Sequence, residues 1–395
     1  MQKLIFLGYV VHPESSGEYS GISIAGNKMQ WNVLKGLVES GEFDIECLTI
    51  TPFASFPREK RLYQRKAMSR LLDTVKQTII PYWNIPIIKQ VSQIDSMYKE
   101  ARKILKKNPD AILFGFNLFP QVGVPMRRLK KKFSQCKTVG LLADLPIDDK
   151  TNRKGLSKWL RNKFDRSTWK NMSACENFIV LNEYVASTYL QGKPYIVVDG
   201  GLDEKEICPY EFRLSAEKNV LFCGALTEYN GIPNLLKAME LLADKDITLD
   251  IYGGGYLQSE VEEFAKTHFR VRYHGKVSNQ VVMQKQREAW LLINPRKVDD
   301  LIAKVTFPSK IFEYMLSSTP VLTTRLNGYG EEYKDKLFFT ETDSAEDIAE
   351  AIIAIAGKEE NELREITKRA HVFICETRVW KTQAEKIVDF IIGNK

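Results

Sequence analysis

The sequence predicts an α/β protein built on parallel sheets. Strand-length apolar runs alternate with helix-period segments through both halves of the chain, the rhythm of repeated strand–loop–helix units. At Gly200-Gly201 an apolar run gives way to a polar stretch, which reads as a hinge, so a domain boundary is expected within 200–217. With 395 residues, at roughly 100–200 residues per domain, the chain holds two or three domains and can bury substantial cores.

In the first half the expected strands are 3–11 (KLIFLGYVV), 44–50, 111–116, 137–142 and 177–181, each a short apolar run bounded by polar or turn residues. In the second half they are 218–223, 247–252, 270–274, 290–294, 320–324 and 337–339. Helices fill the gaps, among them 27–39, with Trp31, Leu34 and Val38 at helical spacing, 232–243 and 258–267. A helical tail follows at 344–357, 359–371 and 378–392, and Trp380, Ile387, Val388 and Ile391 give its last segment an apolar stripe. The expected domains are 1–200 and 201–375, with 376–395 as a terminal helix.

Composition excludes several classes. Hydrophobic residues at 44% and charged residues at 27% are globular values, not those of a disordered or collagenous chain. The first residues, MQKLIFLGYVVHPE, are too brief an apolar run for a signal peptide, and no window reaches the roughly 18 apolar residues of a spanning helix. A cytoplasmic location is expected. Six scattered cysteines and four histidines show neither C-x-x-C nor H-x-x-H spacing, so no metal site or disulfide framework is expected. Charge is divided: residues 1–200 carry 31 Lys+Arg against 18 Asp+Glu, and residues 201–395 carry 26 against 32. A basic partner surface therefore belongs to the first half.

Three glycine-bearing turns fall between a strand and a helix, where parallel-sheet proteins hold anionic ligands: Gly17, Gly21 and Gly26; Gly224 and Gly231; and Gly253, Gly254 and Gly255. Each alone also reads as a tight packing turn. None is a Walker loop, and no early G-x-G-x-x-G supports a nicotinamide or flavin site. The stretch 291–324, LLINPRKVDDLIAKVTFPSKIFEYMLSSTPVLTT, is more specific. A buried strand enters a charged loop, then Pro308-Ser309-Lys310 opens a helix, so that amides, a hydroxyl and an ammonium converge on a diphosphate. Glu313, one turn on, is placed to accept hydrogen bonds from ribose hydroxyls. Arg296 and Lys304 read either as further phosphate ligands or as surface charges.

With VLFCGAL, GIPNLLKAM, DIYGGG and VRYHGKV before it, the run NPR…FPSKIFEYM…STPVL resembles the retaining glycosyltransferases of family 4, in the branch reading FPSK-x2-EY at the donor site. The resemblance covers most of 218–345 and is looser over the first half, where the glycine loop, LLADLP and VLNEYVASTYL carry it. It implies the GT-B fold, two Rossmann-like parallel-sheet domains facing across a cleft. The first domain would bind the acceptor and the second a nucleotide-diphosphate sugar, with the helix around Trp380 crossing back to the first. The donor ligands it implies are Gly21, Gly224, Gly254, Arg296, Lys304, Ser309, Lys310 and Glu313, with Lys310 also stabilising the departing diphosphate. Glu313 matches the second glutamate of the family's E-x7-E pair; Val305 stands where the first would be. The loop ALTEYNG lacks the Arg and Lys usual there, and Ala143-Asp144 replaces His-Asp. Asp144 is the first-domain candidate for orienting a hydroxyl, and equally reads as a strand-end turn residue. The chemistry implied is metal-independent transfer with retention and no cofactor beyond the nucleotide sugar.

The basic charge of the first half concentrates at 58–70, 127–137 and 150–170. In the last stretch Leu156, Trp159, Leu160 and Phe164, with Trp169 as a further candidate, share a helical face among Arg153, Lys154, Lys158, Arg161, Lys163 and Arg166. Such a helix fits an anionic bilayer surface, with Trp159, Phe164, Arg161 and Lys163 as contacts, or packs its apolar stripe on the first sheet. The expected partners are a nucleotide sugar and a glycan or polyprenyl-diphosphate-linked acceptor at the inner face of the plasma membrane. Nucleic acid is not expected, since no binding module accompanies the charges. The alternative to a transferase is a non-catalytic partner subunit or glycan-binding protein on the same fold.

Overall fold

The computed structural model describes residues 1–147, 155–298 and 301–393. The chain divides into two compact units, Met1–Val198 with Trp380–Lys395, and Asp199–Val379.

The first unit begins β1 (Gln2–Gly8), α1 (Ile24–Glu39), β2 (Phe43–Thr49), β3 (Tyr63–Gln64), β4 (Ala67–Leu71), β5 (Val75–Ile79), β6 (Tyr82–Trp83) and α2 (Ile88–Leu105). It continues β7 (Ile112–Phe116), α3 (Pro120–Lys132), β8 (Lys137–Leu142), α4 (Gly155–Ala174), β9 (Asn177–Val180), α5 (Glu183–Tyr189) and β10 (Tyr195–Val197). Its sheet has the order β10-β9-β8-β7-β1-β2-β5-β4, parallel throughout except for β4 against β5. β1 lies at the centre and is covered on both faces, which is why its sequence is a continuous apolar run rather than an alternating one. Its Phe6 stacks on Phe114 of β7 at 5.2 Å between ring centroids.

The second unit holds β11 (Asn219–Ala225), α6 (Ile232–Leu241), β12 (Thr248–Gly254), α7 (Gln258–Thr267), β13 (Val271–Tyr273), α8 (Asn279–Glu288) and β14 (Leu291–Asn294). After these come α9 (Leu301–Val305), α10 (Lys310–Leu316), β15 (Val321–Thr324), β16 (Phe338–Thr340), α11 (Ala345–Ala356) and α12 (Glu360–Thr377). The parallel sheet β13-β12-β11-β14-β15-β16 reverses its direction of winding between β11 and β14, the doubly wound arrangement that opens a ligand crevice at the carboxyl ends of those two strands. Where the chain enters and leaves this unit, buried Asp199 accepts from Arg378 at 2.9 Å and from the Tyr333 hydroxyl at 2.6 Å.

The last helix, α13 (Trp380–Ile392), packs within the first unit. Gly36 of α1 makes the close crossing possible, since a Cβ there would collide with Ala384. Trp380, Ile387, Val388 and Ile391, the stripe seen in the sequence, join the core that contains β1 and β7. No helix among the described residues is long and apolar enough to cross a membrane.

Candidate functional site

The crevice of the second unit is shaped by strand ends that only glycine allows to approach. Gly253 has φ +136° and a Cβ on it would strike the Gly224 carbonyl, so the ends of β11 and β12 are pressed together. Gly231, at φ +76° before α6, lies equally close to the Pro295 carbonyl that follows β14. Helix α10 then delivers its first turn to the same place, because Lys310 and Tyr314, one turn apart, share a helical face. The Lys310 ammonium donates to the Cys223 carbonyl at 2.6 Å. The buried Tyr314 hydroxyl accepts from the Cys223 amide at 3.2 Å, which fixes α10 to the end of β11.

Arg296, just past β14, donates to the Tyr229 hydroxyl at 3.0 Å and lies 5.0 Å from that ring, while its buried Nε has no hydrogen-bond partner among the described residues. Tyr229 also shares a hydrogen bond with Thr306 at 3.2 Å. Among the described residues neither Lys310 nor Arg296 forms an ion pair. Burial holds the Lys310 pKa below the usual lysine range; Glu313 opposes this and the Arg296 charge adds to it. Two neighbouring cations that form no ion pair are costly unless an anion joins them, and the crevice is therefore suited to linked phosphoryl groups.

The remaining expected donor residues divide. Ser309 caps α10 with an exposed side chain that makes no capping bond. Glu313 stands on the first turns of α10. Gly224 lies under the ammonium, a Cβ there falling 2.6 Å from Lys310 Nζ, and Gly254 lies under the stem of Lys276. Lys304 lies on α9 and forms no ion pair among the described residues. Its neighbour Val305 is buried at 4% exposure. Gly21 belongs to the first unit, where its amide donates to the Pro52 carbonyl at 2.8 Å and a Cβ would crowd residues 52–54.

The first unit has its own switch point, between β1 and β7. Asn117 follows β7 in a left-handed conformation (φ +48°) and bridges to the end of β8. Its Oδ1 accepts from the amides of Ala143 and Asp144 at 2.8 and 3.0 Å, and its Nδ2 donates to the Asp144 carboxylate at 3.2 Å. Asp144 keeps access to solvent; the surrounding protein raises its pKa above the usual carboxylate value, and the Asn117 bond counters that. Sequence reading missed Asn117 and Tyr229. Their only signal is position, Asn117 directly after a buried strand and Tyr229 in the turn between two glycines.

On α4, Trp159 is 57% exposed with Lys163 over its ring at 5.0 Å. Phe164 turns inward onto Phe119, centroids 5.4 Å apart, and Arg161 pairs with Asp165 at 2.9 Å. Arg153, Lys154 and the Leu156 side chain lie outside the described residues.

Residues 217–358 match the family profile described as "Glycosyl transferases group 1", so the second unit carries a domain of that kind. No curated protein matches the chain in sequence. Among solved structures, sucrose-phosphate synthase from Thermosynechococcus elongatus aligns with a TM-score of 0.68 at 14% identity, covering 100% of this chain and 99% of that one. HepE of Anabaena in complex with UDP aligns at 0.67 and 14% identity over 100% of both chains. The lipopolysaccharide outer core galactosyltransferase WaaB aligns at 0.65 and 13% identity, again over 100% of both. At these identities the likeness is one of fold, and the fold is that of GT-B glycosyltransferase structures.

Proposed function

We propose that this protein is a metal-independent, retaining glycosyltransferase of the family 4 type, moving a hexosyl group from a nucleotide-diphosphate sugar to a glycan acceptor. The observation that carries this reading is the pair of cations without carboxylate partners, Lys310 and Arg296, at the switch point of the second sheet. That a structural neighbour was determined with UDP-glucose supports the same ligand class here.

The diphosphate leaves toward Lys310, the Ser309 hydroxyl and the amides opening α10, while Glu313 holds the ribose. Rate enhancement then comes from stabilising the charge that develops on the leaving oxygen, not from a strong protein base. The acceptor hydroxyl attacks the anomeric carbon from the face the diphosphate leaves, and the leaving oxygen takes its proton. Asp144, aimed by Asn117, orients a hydroxyl, and the first unit is the acceptor domain. The acceptor is carried on a polyprenyl diphosphate in bacterial surface polysaccharide synthesis, with the enzyme peripheral at the inner face of the plasma membrane.

A second reading, a non-catalytic partner subunit, draws on buried Val305 in place of a sugar-contacting glutamate. Thermal unfolding with a panel of nucleotide sugars separates the two. A true donor at a hundred times its Kd adds about 2.7 kcal/mol to stability, and Lys310→Ala and Glu313→Ala remove that gain. If no nucleotide sugar raises the transition, the transferase reading fails.

A further inference from the structure

One surface of the first unit is apolar, basic and unused by the transfer chemistry. Between β2 and α2 the antiparallel pair β3–β6 sets Tyr63 opposite Trp83, with ring centroids 4.9 Å apart and Trp83 50% exposed. Buried Asn84 locks this pair in place: its amide N–H donates to the Leu62 carbonyl at 2.7 Å and its Nδ2 to the Ala54 and Arg61 carbonyls at 2.9 and 3.0 Å. The Trp83 N–H donates to Ser92 Oγ at 3.1 Å, so the first turns of α2 stand beside the tryptophan. There Ile88 and Val91, three residues apart on one helical face, point to solvent, Val91 at 64%. Ile87 precedes them at φ +69° and is 60% exposed. A β-branched residue in that conformation is strained, and here no burial offsets the strain.

Charge says what covers this face. Residues 58–70 contain six Lys+Arg against one acid, Glu59. Glu59 is already engaged, accepting from the Ser20 hydroxyl and the Arg61 amide. Lys66 pairs with Glu100 at 2.7 Å, whereas exposed Arg58, Lys60 and Arg65 form no ion pair among the described residues. The Arg61 guanidinium lies 4.4 Å over the Phe53 ring, which in turn meets Tyr19 at 5.2 Å. The patch thus adjoins the glycine loop that follows β1.

We propose that this face, not α4, seats the protein on an anionic membrane: the Tyr63–Trp83 pair and the exposed first turn of α2 enter the headgroup boundary, and Arg58, Lys60 and Arg65 meet lipid phosphates. Aromatic and aliphatic side chains ringed by cations without carboxylate partners are the composition such a boundary selects. The inference deepens the lipid-linked acceptor reading, but vesicle binding is measured without sugar transfer, so either can fail alone.

The test is sedimentation of the full chain with phosphatidylglycerol–phosphatidylcholine vesicles and with phosphatidylcholine alone. The expected result is binding to the anionic vesicles only, weakened about tenfold or more by the double variant Trp83→Ser/Val91→Ser and comparably by Arg58→Gln/Lys60→Gln/Arg65→Gln. Both variants keep the wild-type thermal transition and UDP response, and Trp159→Ser stays bound. Equal binding to neutral vesicles, full retention of either multiple variant, or release by Trp159→Ser alone overturns the proposal. So does a dimer on gel filtration that Trp83→Ser/Val91→Ser turns into a monomer, since a second copy would then cover the patch.

Discussion

The two sheets each carry a switch-point site, and the two are built from opposite materials. At the second sheet the charged groups are cations seated on backbone and phenol oxygens: Lys310 on the Cys223 carbonyl, Arg296 on the Tyr229 hydroxyl. At the first sheet a carboxylate, Asp144, is held by a neutral amide, Asn117. A polyanion is gripped by fixed positive charge, whereas a hydroxyl is oriented by hydrogen bonds to a group that keeps its access to water. On the proposed reading, similar topology serves two ligand chemistries, and the difference lies in a handful of strand-end residues.

Removing the cation is the severest way to break that contrast. Lys310→Ala is expected to lower kcat about 10²–10³-fold with the thermal transition little changed, as steady-state kinetics and calorimetry will show. A merely structural lysine would move the transition instead. At the first sheet Asn117→Ala is expected to cost about 10–100-fold in kcat with donor KM unchanged. It also removes the bond that lowers the Asp144 pKa, so the acid limb of the pH–rate profile moves to higher pH; an unmoved limb would mean that Asp144 does not act in its ionised form. Gly224→Ala asks less of the fold, because the added methyl meets the flexible end of Lys310, 2.6 Å away, as well as Phe222. About a tenfold loss of nucleotide affinity is expected by titration calorimetry, each tenfold being about 1.4 kcal/mol.

The smallest effect is a shape rather than a loss. Because burial holds the Lys310 pKa below the usual lysine value, its charge goes as pH rises through that lowered pKa. Nucleotide affinity should then decline on the alkaline side before ordinary lysines titrate. In Lys310→Arg the decline should vanish, since a guanidinium stays charged.

Legibility followed burial. The doubly wound sheets were readable because strands covered on both faces must be apolar: the runs expected at 44–50, 111–116 and 137–142 appear as Phe43–Thr49, Ile112–Phe116 and Lys137–Leu142. The β4–β5 hairpin and the β3–β6 pair went unseen. β3 and β6 are only two residues long, β4 is exposed at four of five positions, and the β4–β5 turn is made by Leu72 and Asp73 at φ +48° and +56°, with no glycine to announce it. The stripe on α4 was ambiguous for a related reason: Trp159 and Phe164 stand at the two edges of the apolar face, and only packing sends Phe164 onto Phe119 while Trp159 stays outside.

What the sequence alone determined is the local grammar: apolar runs that must be buried strands, glycines where chains approach, and a Pro-Ser-Lys opening to a helix. The tertiary structure alone decided which carbonyl receives Lys310, that Arg296 rests on Tyr229, and that Asn117 aims Asp144. Hydrogen bonds spanning 87, 67 and 27 residues join those groups, and no local pattern encodes a partner that only sheet order brings near.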